Sequence, residues 1–182
     1  MAASRLGIGV GAALLAGTLF AQATETPLAR LEIGGGKAGW DGVTLGISSV
    51  QAERRVGESL AKQPAREGVA ASTCTAFTAN VERGTLRLTL GFPSAKPGAK
   101  LQSIFVHFEG YQVAARLEAL VAELKAQAPG VTYLAPSGAV APSAPSESAD
   151  PMPAYLLPGE GGYAARVVPG DGLLLTLRDC LG

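Results

Sequence analysis

The chain has 182 residues, of which 47% are apolar and 16% are charged, and its 15 basic side chains balance 15 acidic ones. This balance provides no basic surface of the kind that attracts nucleic acid or an anionic membrane, so we predict neither as a partner. The length suits one domain, or two small associated halves, with a real hydrophobic core.

The first 23 residues have the pattern of a secretory signal peptide. Arg5 precedes an apolar run from Leu6 to Phe20, and the small-residue triplet Ala21-Gln22-Ala23 follows it. A membrane-spanning helix needs about 20 apolar residues, and this run is shorter. We therefore predict cleavage after Ala23 and a periplasmic or secreted protein without stable membrane insertion. There is no cysteine near the cleavage point, so we do not predict a lipid anchor.

Residues 24–41 are rich in glycine, and we predict a flexible lead there. Within it, Gly34 to Lys37 lacks the spacing and the strand-to-helix context of a phosphate-binding loop. Trp40 is the only tryptophan in the chain. It is a candidate contact for a protein partner, because tryptophan is enriched at interface hot spots, although partly buried packing is the alternative.

A short helix is predicted after the apolar segment Val43–Ile47. Ser48 with Gln51 three residues later is the signature of a capping box. Gly57 is placed to end the helix near Val56, and Pro64 prevents its continuation.

From Cys74 onward the apolar residues recur with a period of two, which is typical of half-buried strands. Leu86, Leu88, Leu90 and Phe92 alternate with polar residues, and so does the pair Ala79 and Val81 before them. A third strand places Ile104, Val106 and Phe108 on one face, with Phe105 and His107 on the other. We predict an antiparallel meander, and Phe105 is a candidate contact for a partner.

An amphipathic helix is predicted over residues 111–128, where Pro129-Gly130 stops it. It carries an apolar stripe at helical spacing, formed by Val113, Leu117, Leu120, Val121 and Leu124. Charges of both signs lie opposite the stripe, so the helix is expected to pack on the sheet rather than lie in a membrane.

The predicted fold class is α+β, with an antiparallel sheet or sheets, helices packed on one face, and two halves that each run from helix to strands. The first half covers residues 42–134. Residues 135–153, rich in proline, serine and alanine, are predicted to be an exposed loop, and residues 154–182 to hold the C-terminal strands. Whether the halves share one sheet is left open.

The chain contains two cysteines, Cys74 and Cys180. In an oxidising compartment an even count favours pairing, so we predict a disulfide that ties the C-terminal strands back to the first half. Such a bridge closes a loop of roughly 100 residues, for which chain entropy gives about 4.7 kcal/mol of stabilisation. The alternative is a redox or metal-binding pair, but the chain has no C-x-x-C motif.

The segments Leu45–Gln51 and Val56–Leu60 resemble the small-helix signature of the SmpA/OmlA (BamE-like) envelope proteins and of the related β-lactamase-inhibitor-protein fold. In that family a capped helix closes at an apolar-Gly pair and a meander follows. The resemblance extends over residues 42–109. It implies a periplasmic protein-interaction module, and Gly46 and Gly57 correspond as structural positions only. The chain departs from the family by its disulfide, its long second half and the lack of a lipid-bearing cysteine.

Catalytic patterns are weak. Ser59 and Lys62 have the S-x-x-K spacing of penicillin-recognising enzymes, but the supporting S-D-N and K-T-G motifs are missing. His107 is the only histidine, and we interpret it as a sheet-surface residue rather than part of a triad or a multi-histidine metal site. We therefore predict no enzyme and no cofactor.

The function predicted from these observations is a non-catalytic exported protein-interaction module of the bacterial cell envelope, with a protein partner. The main alternative is a periplasmic binding protein for a small apolar or lipid ligand held between sheet and helix. A third is a hydrolase whose site the sequence does not reveal.

Overall fold

A computed structural model describes residues 27–66, 72–84, 86–108, 114–135, 140–141, 152–168 and 170–181. The predicted signal peptide and most of the predicted loop 135–153 lie outside these residues. In the described part, no helix is both long and apolar enough to cross a membrane.

The first described segment is a small antiparallel sheet. A 3₁₀ helix, Pro27–Arg30, leads into β1 (Leu31–Gly34), β2 (Lys37–Trp40) and β3 (Val43–Thr44). This corrects the flexible lead predicted for residues 24–41, over the part from residue 27 onward. The β1–β2 turn has Gly35 and Gly36 at φ +55° and +71°, and two successive positive φ values are what a tight hairpin turn requires. The glycines therefore serve a turn.

The first helix confirms the predicted capping box. Helix α1 runs from Ser49 to Val56, and the Gln51 side chain accepts from the Ser48 backbone N–H at 2.9 Å. The Ser48 hydroxyl oxygen accepts in return from the Gln51 N–H at 3.3 Å. Gly57 ends the helix in the left-handed conformation, at φ +78°, and its N–H donates to the Glu53 carbonyl. The local sequence thus fixes both ends of α1.

The predicted meander is present in the first half. A two-residue strand β4 (Gln63–Pro64) pairs with β5 (Phe77–Arg83), which pairs with β6 (Leu86–Phe92), which pairs with β7 (Ser103–His107). Pro64 lies on the outermost strand, where its missing N–H interrupts the exposed edge of the sheet.

The second half begins with α2 (Ala114–Gln127), within the range predicted for the amphipathic helix. Its strands are β8 (Thr132–Leu134), β9 (Val140–Ala141), β10 (Ala154–Leu156), β11 (Tyr163–Val168) and β12 (Gly172–Leu177). Strand β9 falls inside the predicted loop 135–153, so this part of the loop forms an edge strand on β8.

The two halves share one sheet. Nine strands are joined in the order β4-β5-β6-β7-β12-β11-β10-β8-β9, and each described pairing is antiparallel. The last strands of the halves, β7 and β12, meet at the centre, where Phe105 lies opposite Leu174. Each half therefore runs from its helix through its strands to this central junction.

One face of the sheet, called here the core face, carries a continuous apolar row. Strand pairing aligns its members across seven strands: Ala79, Leu90, Ile104, Leu175, Ala165, Tyr155 and Tyr133. Trp40 from the small sheet, Ala52 from α1 and Leu124 from α2 are all fully buried in the same hydrophobic cluster as this row. The small sheet and both helices thus contribute to one core.

The opposite face, called here the outer face, changes character across the sheet. Phe105, Val168 and Leu174 form a small buried cluster at its centre, and Leu134, Ala154 and Ala164 form another toward β8. Toward β5 the side chains become polar, with Asn80 and Glu82 exposed. The alternation in β5–β7 thus separates an apolar core side from a mixed outer side.

The predicted disulfide between Cys74 and Cys180 is confirmed, with Cα atoms 5.3 Å apart. The Thr73 N–H donates to the Cys180 carbonyl at 3.0 Å. Next to it, the Thr75 hydroxyl lies 3.0 Å from the hydroxyl of Ser103, which points from β7 to the outer face. The bridge therefore joins the segment before β5 to the end of the chain beside the outer face.

Candidate functional site

The two residues predicted as partner contacts are buried. Trp40 is 0% exposed in the core, and the Arg30 guanidinium lies over its ring at 5.8 Å. Phe105 is also 0% exposed, within the central cluster of the outer face. In this conformation neither side chain is presented to a partner.

The Ser59–Lys62 pattern does not form a serine–lysine pair. The Lys62 ammonium instead donates to the Ser49 hydroxyl at 2.9 Å and to the carbonyls of Ala95 and Lys96 at 3.0 and 3.1 Å. An ammonium has three N–H donors and no acceptor, so three oxygen partners use all of them. The Ser49 hydrogen goes to the Pro97 carbonyl at 2.6 Å. This cluster fastens the 95–97 segment to the start of α1.

A second polar group, called here the histidine network, lies on the outer face of β5, β6 and β7. His107 and Arg87 are directly opposite each other on β7 and β6. The Thr89 hydroxyl lies 2.8 Å from His107 Nε2 and donates to Asn80 Oδ1, also at 2.8 Å. The network thus crosses three adjacent strands.

The other ring nitrogen of His107 faces two charged groups. Its Nδ1 lies 3.3 Å from Asp171 Oδ1, in the turn before β12, and 3.5 Å from an Arg87 terminal nitrogen. The His107 side chain is 11% exposed, whereas the Asp171 side chain is 47% exposed. The ring is therefore almost enclosed, while its carboxylate neighbour remains in contact with solvent.

Thr89, His107 and Asp171 follow the hydroxyl–imidazole–carboxylate order of a catalytic triad. The sequence interpretation of His107 missed this arrangement, because a triad needs only one histidine and its other members come from distant positions. No local spacing signals it, since Thr89 and Asp171 are 18 and 64 residues from His107.

The direction of the hydrogen bond that Thr89 donates argues against Thr89 as an activated nucleophile. Thr89 has one hydroxyl hydrogen and donates it to Asn80, so its oxygen accepts from a hydrogen on His107 Nε2. In a triad the hydroxyl hydrogen is directed at the imidazole nitrogen instead. In this geometry Thr89 donates to Asn80 and is not directed at the ring as a triad nucleophile would be.

The exposed part of this face is called here the polar strip and consists of Thr78, Asn80, Glu82 and Arg87. These residues are half-buried or exposed on β5 and β6. Glu82 lies directly opposite Arg87 in the strand pairing, a cross-strand pair of opposite charge. Over the described ranges, no group of three or more His, Cys, Asp or Glu residues is placed to hold a metal ion.

Comparisons with models of known protein families, with curated proteins and with solved structures found no match for this chain. The resemblance to the SmpA/OmlA (BamE-like) proteins over residues 42–109 therefore remains a prediction from the sequence.

Proposed function

We propose that this chain is a non-catalytic protein-interaction module of the bacterial cell envelope and that it binds its protein partner through the polar strip. The observation that carries the proposal is the position of the strip on two rigid neighbouring strands. Strands β5 and β6 share a ladder of seven residue pairs, and their opposite faces are anchored in the core by residues such as Val81 and Leu88. A partner would meet a preformed surface with both charges, which lowers the entropy lost on binding.

The two clusters that come closest to catalytic arrangements support a non-catalytic role. The Lys62 ammonium donates to Ser49 and to two backbone carbonyls, and the Ser49 hydroxyl donates to the Pro97 carbonyl rather than toward Lys62. The Thr89 hydroxyl is directed at Asn80 rather than at His107. The hydrogen bonds of Lys62 and of Thr89 therefore connect neighbouring segments of the fold.

The packing on the core face favours a protein partner over a small ligand. A ligand site between sheet and helix would need a cavity lined by apolar side chains. Among the described residues, this layer is occupied by the large side chains of Trp40, Tyr155 and Phe92, each fully buried, and by Leu124 from α2. Both helices bury residues in this layer, and we propose that they cover the core face and leave the polar strip to the partner.

We further propose that the protein acts in the periplasm or after secretion, following removal of residues 1–23. The bridge between Cys74 and Cys180 supports this location, because stable disulfides are typical of oxidising compartments.

The experiment that tests the proposed function is site-specific photo-cross-linking in living cells of the producing bacterium. A photoreactive amino acid replaces Asn80 in the polar strip or, as a matched control, Glu58, which is exposed after the end of α1. We expect a discrete protein adduct from position 80 that is absent from position 58. Equal adducts from both positions, or none from position 80, would contradict a binding role for the strip. Native mass spectrometry of the same protein would reveal a bound small ligand instead.

A further inference from the structure

We propose that the bridge between Cys74 and Cys180 forms only after strand β12 has joined the sheet, and that Cys74 is the sulfur that reacts with the oxidant. The proposal concerns how the oxidised protein arises, and it does not require the polar strip to bind a partner. It rests on the position of β12 in the sheet and on the unequal exposure of the two cysteines.

Strand β12 comes after every other described strand of the large sheet in the chain, yet it lies between β7 and β11. Five residue pairs align it with β7, and six align it with β11. Without β12, the described strands form two groups, β4 to β7 and β8 to β11, and no pairing joins one group to the other. Pairing of β12 with β7 and β11 is therefore the step that produces one sheet.

Both faces of β12 are buried in that sheet. Leu173 and Leu175 belong to the main core cluster, and Leu174 belongs to the central cluster of the outer face. Thr176 is fully buried, and its hydroxyl donates to the Gln102 carbonyl at 2.9 Å. Removal of the leucine side chains from water favours the joined state of β12 before any covalent bond is made.

The joining of β12 also brings the two cysteines together. Cys74 shortly precedes β5, in the first group of strands, and Cys180 ends the 3₁₀ helix that directly follows β12. Across 106 residues of unfolded chain, their encounter has a large entropic cost. With β12 in the sheet, the Thr73 N–H donates to the Cys180 carbonyl, and the cysteine Cα atoms lie 5.3 Å apart, within the range of a disulfide. The formed sheet thus places the two sulfur atoms for reaction.

The exposure of the two cysteines assigns the order in which they react. Cys180 is 2% exposed, whereas Cys74 is only partly buried. The oxidant is itself a disulfide, and the Cys74 thiolate attacks one of its sulfur atoms, which gives a mixed disulfide and releases one thiolate. The Cys180 thiolate then attacks the Cys74 sulfur, which forms the bridge and releases the second thiolate. The two cysteines lose two electrons and two protons, and the oxidant gains them as two thiols.

The first test follows the reduced mature chain as it refolds from urea in buffer that contains oxidised glutathione. Pulsed hydrogen exchange with mass spectrometry times the protection of β12, and alkylation of free thiols times the bridge. We expect protection of β12 to come first. Gly172→Ala, whose Cβ atom would collide with the Val106 carbonyl oxygen, should slow bridge formation roughly tenfold or more. Gly98→Ala, where an added Cβ atom meets nothing within 4 Å, should leave the rate unchanged.

The second test compares the folded variants Cys180→Ser and Cys74→Ser, each of which keeps one thiol. With oxidised glutathione, Cys74 should form the mixed disulfide roughly tenfold faster than Cys180, and this difference should vanish in urea. The first test includes the wild-type chain, so the proposal stays falsifiable if a variant does not fold. A bridge that forms before β12 is protected, an unchanged rate in Gly172→Ala, equal reactivity of the two thiols in the folded variants, or a difference that persists in urea would each overturn it.

Discussion

At the scale of single residues, Ser48 has a defined energetic role. Its side chain and the Gln51 side chain satisfy two backbone N–H groups at the start of α1, groups that have no partner within the helix itself. We expect Ser48→Ala to lower the free energy of unfolding by about 1 kcal/mol, measured by urea denaturation. Ser59→Ala, at an exposed position outside the helix, is the control and should change stability by less than about 0.5 kcal/mol. Equal effects would contradict the capping role.

Interactions between residues close in sequence could be predicted, whereas interactions between distant residues could not. The Ser48, Gln51 and Gly57 pattern was predictable because each interaction lies within a few residues along the chain. The histidine network was not, since Thr89 and Asp171 meet His107 only through strand pairing and the β11–β12 turn. The surroundings of Trp40 were misjudged because the glycines before it were interpreted as flexibility, whereas they form a hairpin turn.

At the scale of elements, strand β6 has a position where only glycine fits. A Cβ atom at Gly91 would collide with the hydroxyls of Ser103 and Thr75, which are hydrogen-bonded to each other over the outer face. We expect Gly91→Ala to destabilise the protein by about 1–3 kcal/mol, because overpacking forces these side chains to shift.

Thermal or urea denaturation measures this effect, and Gly98→Ala provides the matched control. Gly98 lies in an exposed loop where an added Cβ atom would meet nothing within 4 Å. Its substitution should leave stability within about 0.5 kcal/mol of the wild type. A Gly91→Ala variant as stable as Gly98→Ala would show that the segment around Thr75 does not pack against β6 as described.

Elements differ in how far the sequence determines them. The period-two alternation of β5, β6 and β7 was visible because each strand has one face in the core, as Leu88 and Leu90 illustrate. Strand β9 was missed, because a two-residue edge strand in a region rich in proline and serine has no period of its own. The pairing of β7 with β12 could not be predicted from the sequence either, because alternation identifies the buried face of a strand but not the strand that pairs with it.

At the scale of the whole molecule, the disulfide between Cys74 and Cys180 joins the two ends of a chain segment that contains most strands of the large sheet. The two cysteines are 106 residues apart, and every strand from β5 to β12 lies between them. Loop-closure entropy for a ring of this length gives about 4.7 kcal/mol, and native disulfides typically contribute about 2–5 kcal/mol. We expect the Cys74→Ser, Cys180→Ser double variant to lose stability in this range.

Urea denaturation with and without reductant measures this loss. Reductant should lower the unfolding midpoint of the wild type and leave that of the double variant unchanged, which separates the bridge from other effects of reduction. A double variant within about 0.5 kcal/mol of the oxidised wild type would contradict the constraint assigned to the bridge.

The central claim at this scale is that the polar strip is the surface through which the protein acts. The most direct measurement is the affinity of the partner captured at position 80, determined by titration calorimetry with purified wild-type protein, Glu82→Arg and Glu58→Arg. Both glutamates are exposed, but only Glu82 lies in the strip. Charge reversal inside an interface creates like-charge contacts, so we predict at least a roughly tenfold loss of affinity for Glu82→Arg and no change for Glu58→Arg. Equal affinities for the two variants would contradict the account.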